Sequence, residues 1–81
     1  MSHERTAGQL IQEIERLTGV EIKLRRTWGQ RWYLEDSETG NQVALGGGKR
    51  DRLSPSEQES ICRALGREHL IVDLGLGALD D

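Results

Sequence analysis

The sequence predicts an α+β domain of order α-β-β-β-α, with two helices on one face of a three-stranded antiparallel meander and a short fourth strand at 69–74. Three observations carry this. Apolar and polar residues alternate through 20–45, capping signals stand at Thr6 and Ser54, and Gly29 and Gly40 fall where a meander must turn.

Residues 1–5 read as a flexible lead-in, after which Thr6 and Gln9 form a Thr-x-x-Gln capping box that opens the first helix. Leu10, Ile14 and Leu17 then recur at helical spacing, joined by Ile11, and Gly19 supplies the stop. The apolar stripe of this helix needs a sheet face to cover it.

Val20, Ile22 and Leu24 alternate with Glu21, Lys23 and Arg25; Trp32 and Leu34 continue the apolar face in a central strand at 31–36, and Val43 and Leu45 close it. Opposite residues in an antiparallel pair share a face. Leu24 is therefore set against Trp32 and Ile22 against Leu34, which leaves Thr27, Trp28 and Gly29 as a three-residue loop. Leu34 against Val43 and Trp32 against Leu45 leaves Ser37, Glu38, Thr39 and Gly40 as the second turn.

Residues 46–52 form a flexible basic loop, Gly-Gly-Gly-Lys-Arg-Asp-Arg, leading to a second helix. Its start is marked three times: Ser54 as N-cap, Pro55 in the first turn where its missing N–H costs nothing, and Glu57 completing a capping box. Ile61, Cys62, Ala64 and Leu65 make its apolar side, and Gly66 ends it. Leu70, Val72 and Leu74 alternate as a strand would, on an edge of their own sheet or against a second chain. Residues 75–81 read as a flexible acidic tail, so the domain is expected to span 6–74.

With 81 residues, 35% hydrophobic and without Phe, the chain holds one domain with a thin core. Its one cysteine, Cys62, excludes an internal disulfide and a cysteine-based zinc site, and reads as a packing residue. Nothing in the sequence points to a metal, a cofactor, a signal peptide or a membrane span, and a cytoplasmic location is expected. Net charge is −3, but residues 19–52 hold seven Lys/Arg and five Asp/Glu while the remainder holds four and nine. The centre is basic and the ends are acidic.

Three groups of residues are candidates for binding. On the open sheet face the expected register sets Arg25 opposite Arg31, Lys23 opposite Tyr33 and Glu21 opposite Glu35; like charges directly opposite point either to a binding face or to long side chains that splay apart and pair diagonally. Trp28 at the hairpin tip is either an exposed anchor or a ring folded back over the sheet. Lys49, Arg50 and Arg52 belong either to an anion site beside the second helix or to a solvated connection, and their spacing is not that of a Walker loop.

The order helix, three-strand meander, basic loop, helix over 6–66 resembles the double-stranded-RNA-binding-like fold, and the HicA-type toxin family of small mRNA interferases built on it. The resemblance implies basic contacts to nucleic acid at the start of the second helix. It also implies a Gly-Ser-His motif entering the second strand, whose histidine carries the ribonuclease chemistry. The matching positions here are Gly29, Gln30 and Arg31. An arginine stays protonated and cannot serve as a general base, and His3 and His69 lie outside the motif, so no catalytic residue is assigned.

The expected function is that of a small non-enzymatic binding or regulatory module, acting on a protein partner or a nucleic acid through the sheet face, the Trp28 tip and the 46–52 loop. The acidic ends would repel a polyanion and tilt the balance towards a protein. An atypical HicA-like interferase and a homo-oligomeric adaptor joined through 69–74 are the alternatives.

Overall fold

The computed structural model describes residues 4–29 and 31–76. Its order is β1 (Arg5–Thr6), α1 (Ala7–Thr18), β2 (Ile22–Arg26), β3 (Trp32–Asp36), β4 (Gln42–Ala44), β5 (Arg52–Leu53), α2 (Pro55–Ala64) and α3 (Leu70–Asp73). Strands β2, β3 and β4 form the antiparallel meander, and β1 pairs with β5 in a second, two-stranded sheet. The fold is α+β, as the sequence predicts.

Both capping boxes are made. Thr6 accepts from the N–H of Gln9 while the Gln9 side chain accepts from the N–H of Thr6, and Ser54 and Glu57 repeat the exchange at the start of α2. Gly19 closes α1 at φ 72°, a left-handed conformation that glycine adopts without the steric penalty of a side chain. Leu10 and Ile14 of α1, Ile61 and Cys62 of α2 and Leu65 at its C-cap bury against Ile22, Leu34 and Leu45 of the meander and its continuation, in one core. Leu17 and Ala64 fall outside it: both are exposed. Leu10, Ile14, Leu34, Leu65, Leu70 and Leu76 are fully buried, each contributing about 1.5–3 kcal/mol of burial.

The second hairpin keeps the expected register. Leu34 stands opposite Val43, and the N–H of Leu45 reaches the carbonyl of Trp32 at 2.9 Å. The first hairpin does not. Leu24 faces Leu34, Ile22 faces Asp36 and Arg26 faces Trp32, two residues further along than the parity argument placed them. A slip of two leaves every side chain on its original face, so alternation alone could not choose. The longer ladder closes at its tip, where the Thr27 N–H donates to the Arg31 carbonyl at 2.8 Å, and it sets Asp36, on the inner face, opposite Ile22.

Residues 70–73 are helical, which corrects the expected fourth strand. Leu70, Ile71 and Leu74 occupy one side of a helical turn and bury, while Val72, between them in a strand reading, is 76% exposed. Gly75 then turns the chain at φ 77° and sets Leu76 into the core. Since these apolar side chains are buried in their own core, 69–74 offers no strand edge for oligomerisation. The folded body is also longer than 6–74: Arg5 lies in β1 and Leu76 is buried, whereas 1–3 and 77–81 lie outside the described residues. Arg5 bonds the Gln58 side chain at 2.9 Å and the Leu74 carbonyl at 3.1 Å, and so ties the N-terminal strand to α2 and to the end of α3.

Candidate binding surface

Lys23, Arg25, Tyr33, Glu35, Gln42 and Ala44 share the outer face of the meander, away from the helices. The register corrects the expected opposition of charges. Arg25 faces Tyr33 rather than Arg31, and Lys23 faces Glu35 rather than Tyr33. Glu21 precedes β2, and no like-charged pair stands on the ladder. Arg25 Nε lies 3.0 Å from Glu35 Oε1 along the diagonal. This is a compatible face, with one acidic residue among the cations.

Beyond the ladder the hairpin ends in Trp28, which is 100% exposed. Gly29 beside it adopts φ 85°, the left-handed geometry that the turn requires. The Thr27 hydroxyl lies 3.1 Å from the Trp28 carbonyl and 3.2 Å from that of Arg31, so the backbone under the tryptophan is held although its ring touches nothing. Arg25, Arg26 and Arg31 are exposed around the tip. Arg26 sits over Trp32, 5.5 Å from the ring centroid, in a cation–π contact that exists only in the observed register, where the two residues stand opposite each other. Gln30, the middle position of the motif comparison, lies outside the described residues.

Lys49 and Arg50 lie elsewhere. Together with Thr6, Gly8, Gln9 and Gln12 they line a groove at the start of α1, on the helix side of the sheet. The carbonyls of Asp51 and Lys49 accept the N–H groups of Ala7 and Gly8 at 3.2 and 3.0 Å, so the 46–52 loop satisfies the first turn of α1 instead of presenting amides to a ligand. Asp51 Oδ2 accepts from the Gly48 N–H at 2.9 Å, which places the loop's own carboxylate where an anion would sit. Arg52 pairs backbone to backbone with Thr6, and its guanidinium lies 4.0 Å from Glu4. Thus the eight candidate residues divide: Trp28, Arg25, Arg31, Tyr33 and Lys23 belong to the hairpin, and Lys49, Arg50 and Arg52 to the α1 and β1 side.

Among the described residues no group of three or more His, Cys, Asp or Glu is placed to hold a metal ion. Burial pushes the Cys62 thiol up to about 11, so it stays protonated at neutral pH and is a poor nucleophile. No helix of the described residues is long and apolar enough to cross a membrane. His69 stands exposed at the start of α3, with no side-chain capping bond. The chain matches no family model, no curated protein and no solved structure.

Proposed function

We propose that the chain is a small non-enzymatic binding module that engages a protein partner through the tip and outer face of the β2–β3 hairpin. One observation carries the reading: Trp28, the larger of the aromatic residue types in this chain, is wholly exposed on a well-bonded hairpin and flanked by Arg25, Arg26 and Arg31. Tryptophan, tyrosine and arginine are the residues that dominate protein interfaces when they enter a partner's pocket, and this one hairpin carries all three types. An indole held wholly in water on a hydrogen-bonded hairpin offers a partner a large apolar surface.

The division of the basic residues favours a protein over a nucleic acid. A phosphate chain would have to run from the hairpin to Lys49 and Arg50 on the helix side, across a molecule of net charge −3. A compact apolar socket with an acidic rim fits the tip without that path. The alternatives, an RNA ligand or RNA cleavage at an atypical HicA-like site, become outcomes of the same test.

Peptide-display selection against the purified protein, run beside titrations with a single-stranded RNA and a single-stranded DNA, separates them. The module reading expects enriched peptides with an apolar centre and acidic flanks, whose affinity falls at least about tenfold on Trp28→Ala and changes little on Lys49→Ala with Arg50→Ala. Tight oligonucleotide binding, with a salt dependence that flattens by about two units when Lys49 and Arg50 are removed, overturns it in favour of nucleic acid.

A further inference from the structure

The cations of the β2–β3 hairpin are not equivalent. Arg25 Nε lies 3.0 Å from Glu35 Oε1, Arg26 sits 5.5 Å from the centre of the Trp32 ring, and Lys23 stands directly opposite Glu35. The Arg31 guanidinium is exposed and has no ion pair, hydrogen bond or ring contact among the described residues. The register explains the difference. Continued past the two ladders, it sets Thr27 on one side of Arg31 and Gly46 on the other, and neither offers a carboxylate. The acid of this face, Glu35, lies about 13 Å further along β3 at the rise of an extended strand, and Arg25 already holds it.

There is room beside the unpaired guanidinium. Thr27, Arg31, Tyr33, Gln42 and Ala44 line a cleft on the outer face, and a second cleft runs from Arg31 and Ala44 to Gly46 and Gly47. Ala44 faces Tyr33 across the ladder and Gly46 has no side chain, so the β4 side supplies only a methyl group there. Tyr33, which lines the first cleft, has a hydroxyl without a hydrogen-bond partner among the described residues.

Given the hairpin as the partner surface, on which this rests, we propose that the first cleft receives the carboxylate of an aspartate or glutamate of the protein partner, and that Arg31 is the residue that selects it. Charge fixes the occupant. The exposed part of the hairpin carries Lys23, Arg25, Arg26 and Arg31 against Glu35, since Asp36 is buried against Arg67. A planar guanidinium donates two parallel bonds to one carboxylate. A phosphoryl group, with about −1.5 to −2 charges, is met by clustered arginines, and here the other two arginines are engaged within the hairpin. The acid then sits beside the apolar group that covers Trp28, at a spacing set by the hairpin.

Peptide-display selection from one randomised library, run in parallel on the wild type, Trp28→Ala, Arg31→Gln, Arg31→Glu and Lys49→Gln, tests the assignment. The last variant removes the same charge on the helix side, and circular dichroism verifies that each keeps the native fold. Peptides that need Trp28 are expected to carry Asp or Glu at one fixed distance from their apolar residue when selected on the wild type or Lys49→Gln, to lose that preference on Arg31→Gln, and to carry Lys or Arg there on Arg31→Glu. A synthetic peptide from the wild-type selection and its counterpart with the acid changed to the amide should differ at least about threefold in affinity for the wild type and not for Arg31→Gln. Trp28-dependent peptides without an acidic preference, or an acidic preference that survives Arg31→Gln, overturn the role of Arg31 and leave the hairpin reading standing. A phosphoserine counterpart that binds more than about tenfold tighter than the acidic peptide does the same, in favour of a phosphate. A selection that yields no Trp28-dependent peptide overturns both.

Discussion

Arg67 and Asp36 are 31 positions apart in sequence, yet the Arg67 Nε lies 2.8 Å from Asp36 Oδ2, with the carboxylate shielded completely from solvent. The same guanidinium reaches Asp36 Oδ1 at 3.3 Å and Glu38 Oε1 at 2.9 Å, while Asp36 Oδ1 also accepts the N–H groups of Glu38 and Thr39. One buried carboxylate thus holds the β3–β4 turn and fastens it to the chain that follows α2. Asn41, across the turn, adds a bond from its amide to the Leu65 carbonyl at 3.0 Å.

Removing the cation should be costly. Arg67→Met leaves Asp36 buried without its counter-charge and is expected to destabilise the fold by about 3–5 kcal/mol. Asp36→Asn keeps an oxygen for the turn N–H groups and should cost less. Urea unfolding of the two variants measures the losses, and a loss under about 1 kcal/mol for Arg67→Met would mean that the ion pair adds little to the turn's own bonds.

Acid should act through the same residue. The hydrogen bond from Arg67, aided by the backbone N–H groups of Thr39 and Glu38, outweighs the effect of burial and holds the Asp36 carboxyl below its ordinary value of 3.8. A depressed folded-state pKa contributes stability that is full above 3.8 and is lost as pH falls through the lower, folded value. The melting temperature of the wild type should therefore drop below about pH 4 more steeply than that of Asp36→Asn. Parallel profiles would show that other carboxylates dominate the acid response.

Two glycines should respond to substitution for different reasons. A Cβ on Gly29 meets nothing nearby, so Gly29→Val costs only the left-handed backbone, about 1–2 kcal/mol. A Cβ on Gly47 would clash with the Asp51 carboxylate, which accepts the Gly48 N–H. Gly47→Ala should therefore loosen the loop that covers the start of α1, and raise amide exchange at Ala7 and Gly8. Unchanged exchange there would detach the loop from any role in capping the helix.

Local signals made much of this fold legible. The capping boxes at Thr6 and Ser54, the stop at Gly19, the turn ending at Gly40 and the positive φ of Gly29 are encoded within a few residues, and the structure contains each of them. What escaped is non-local. The bond from Arg67 to Asp36, those from Arg5 to Gln58 and Leu74, and the β1–β5 pairing join residues far apart in the chain, and none leaves a short-range pattern. Leu70 and Leu74 suit a strand and a helix equally, and only the sides taken by Ile71 and Val72 decide between them. Of the candidate surface, Trp28 at a tip was readable from turn chemistry. The separation of Lys49 and Arg50 from it was not, because nothing in Gly-Gly-Gly-Lys-Arg says that its carbonyls will cap a helix over forty residues earlier.

The central claim is that the hairpin tip is the contact surface, and nitrogen-15 NMR with a display-selected peptide tests it most directly. The account predicts that the Trp28 indole N–H and the amides of Arg25, Arg26, Arg31 and Tyr33 shift on titration while those of Gln9, Gln12, Lys49 and Arg50 stay in place. Shifts confined to the second group, with the Trp28 indole unmoved, would contradict it.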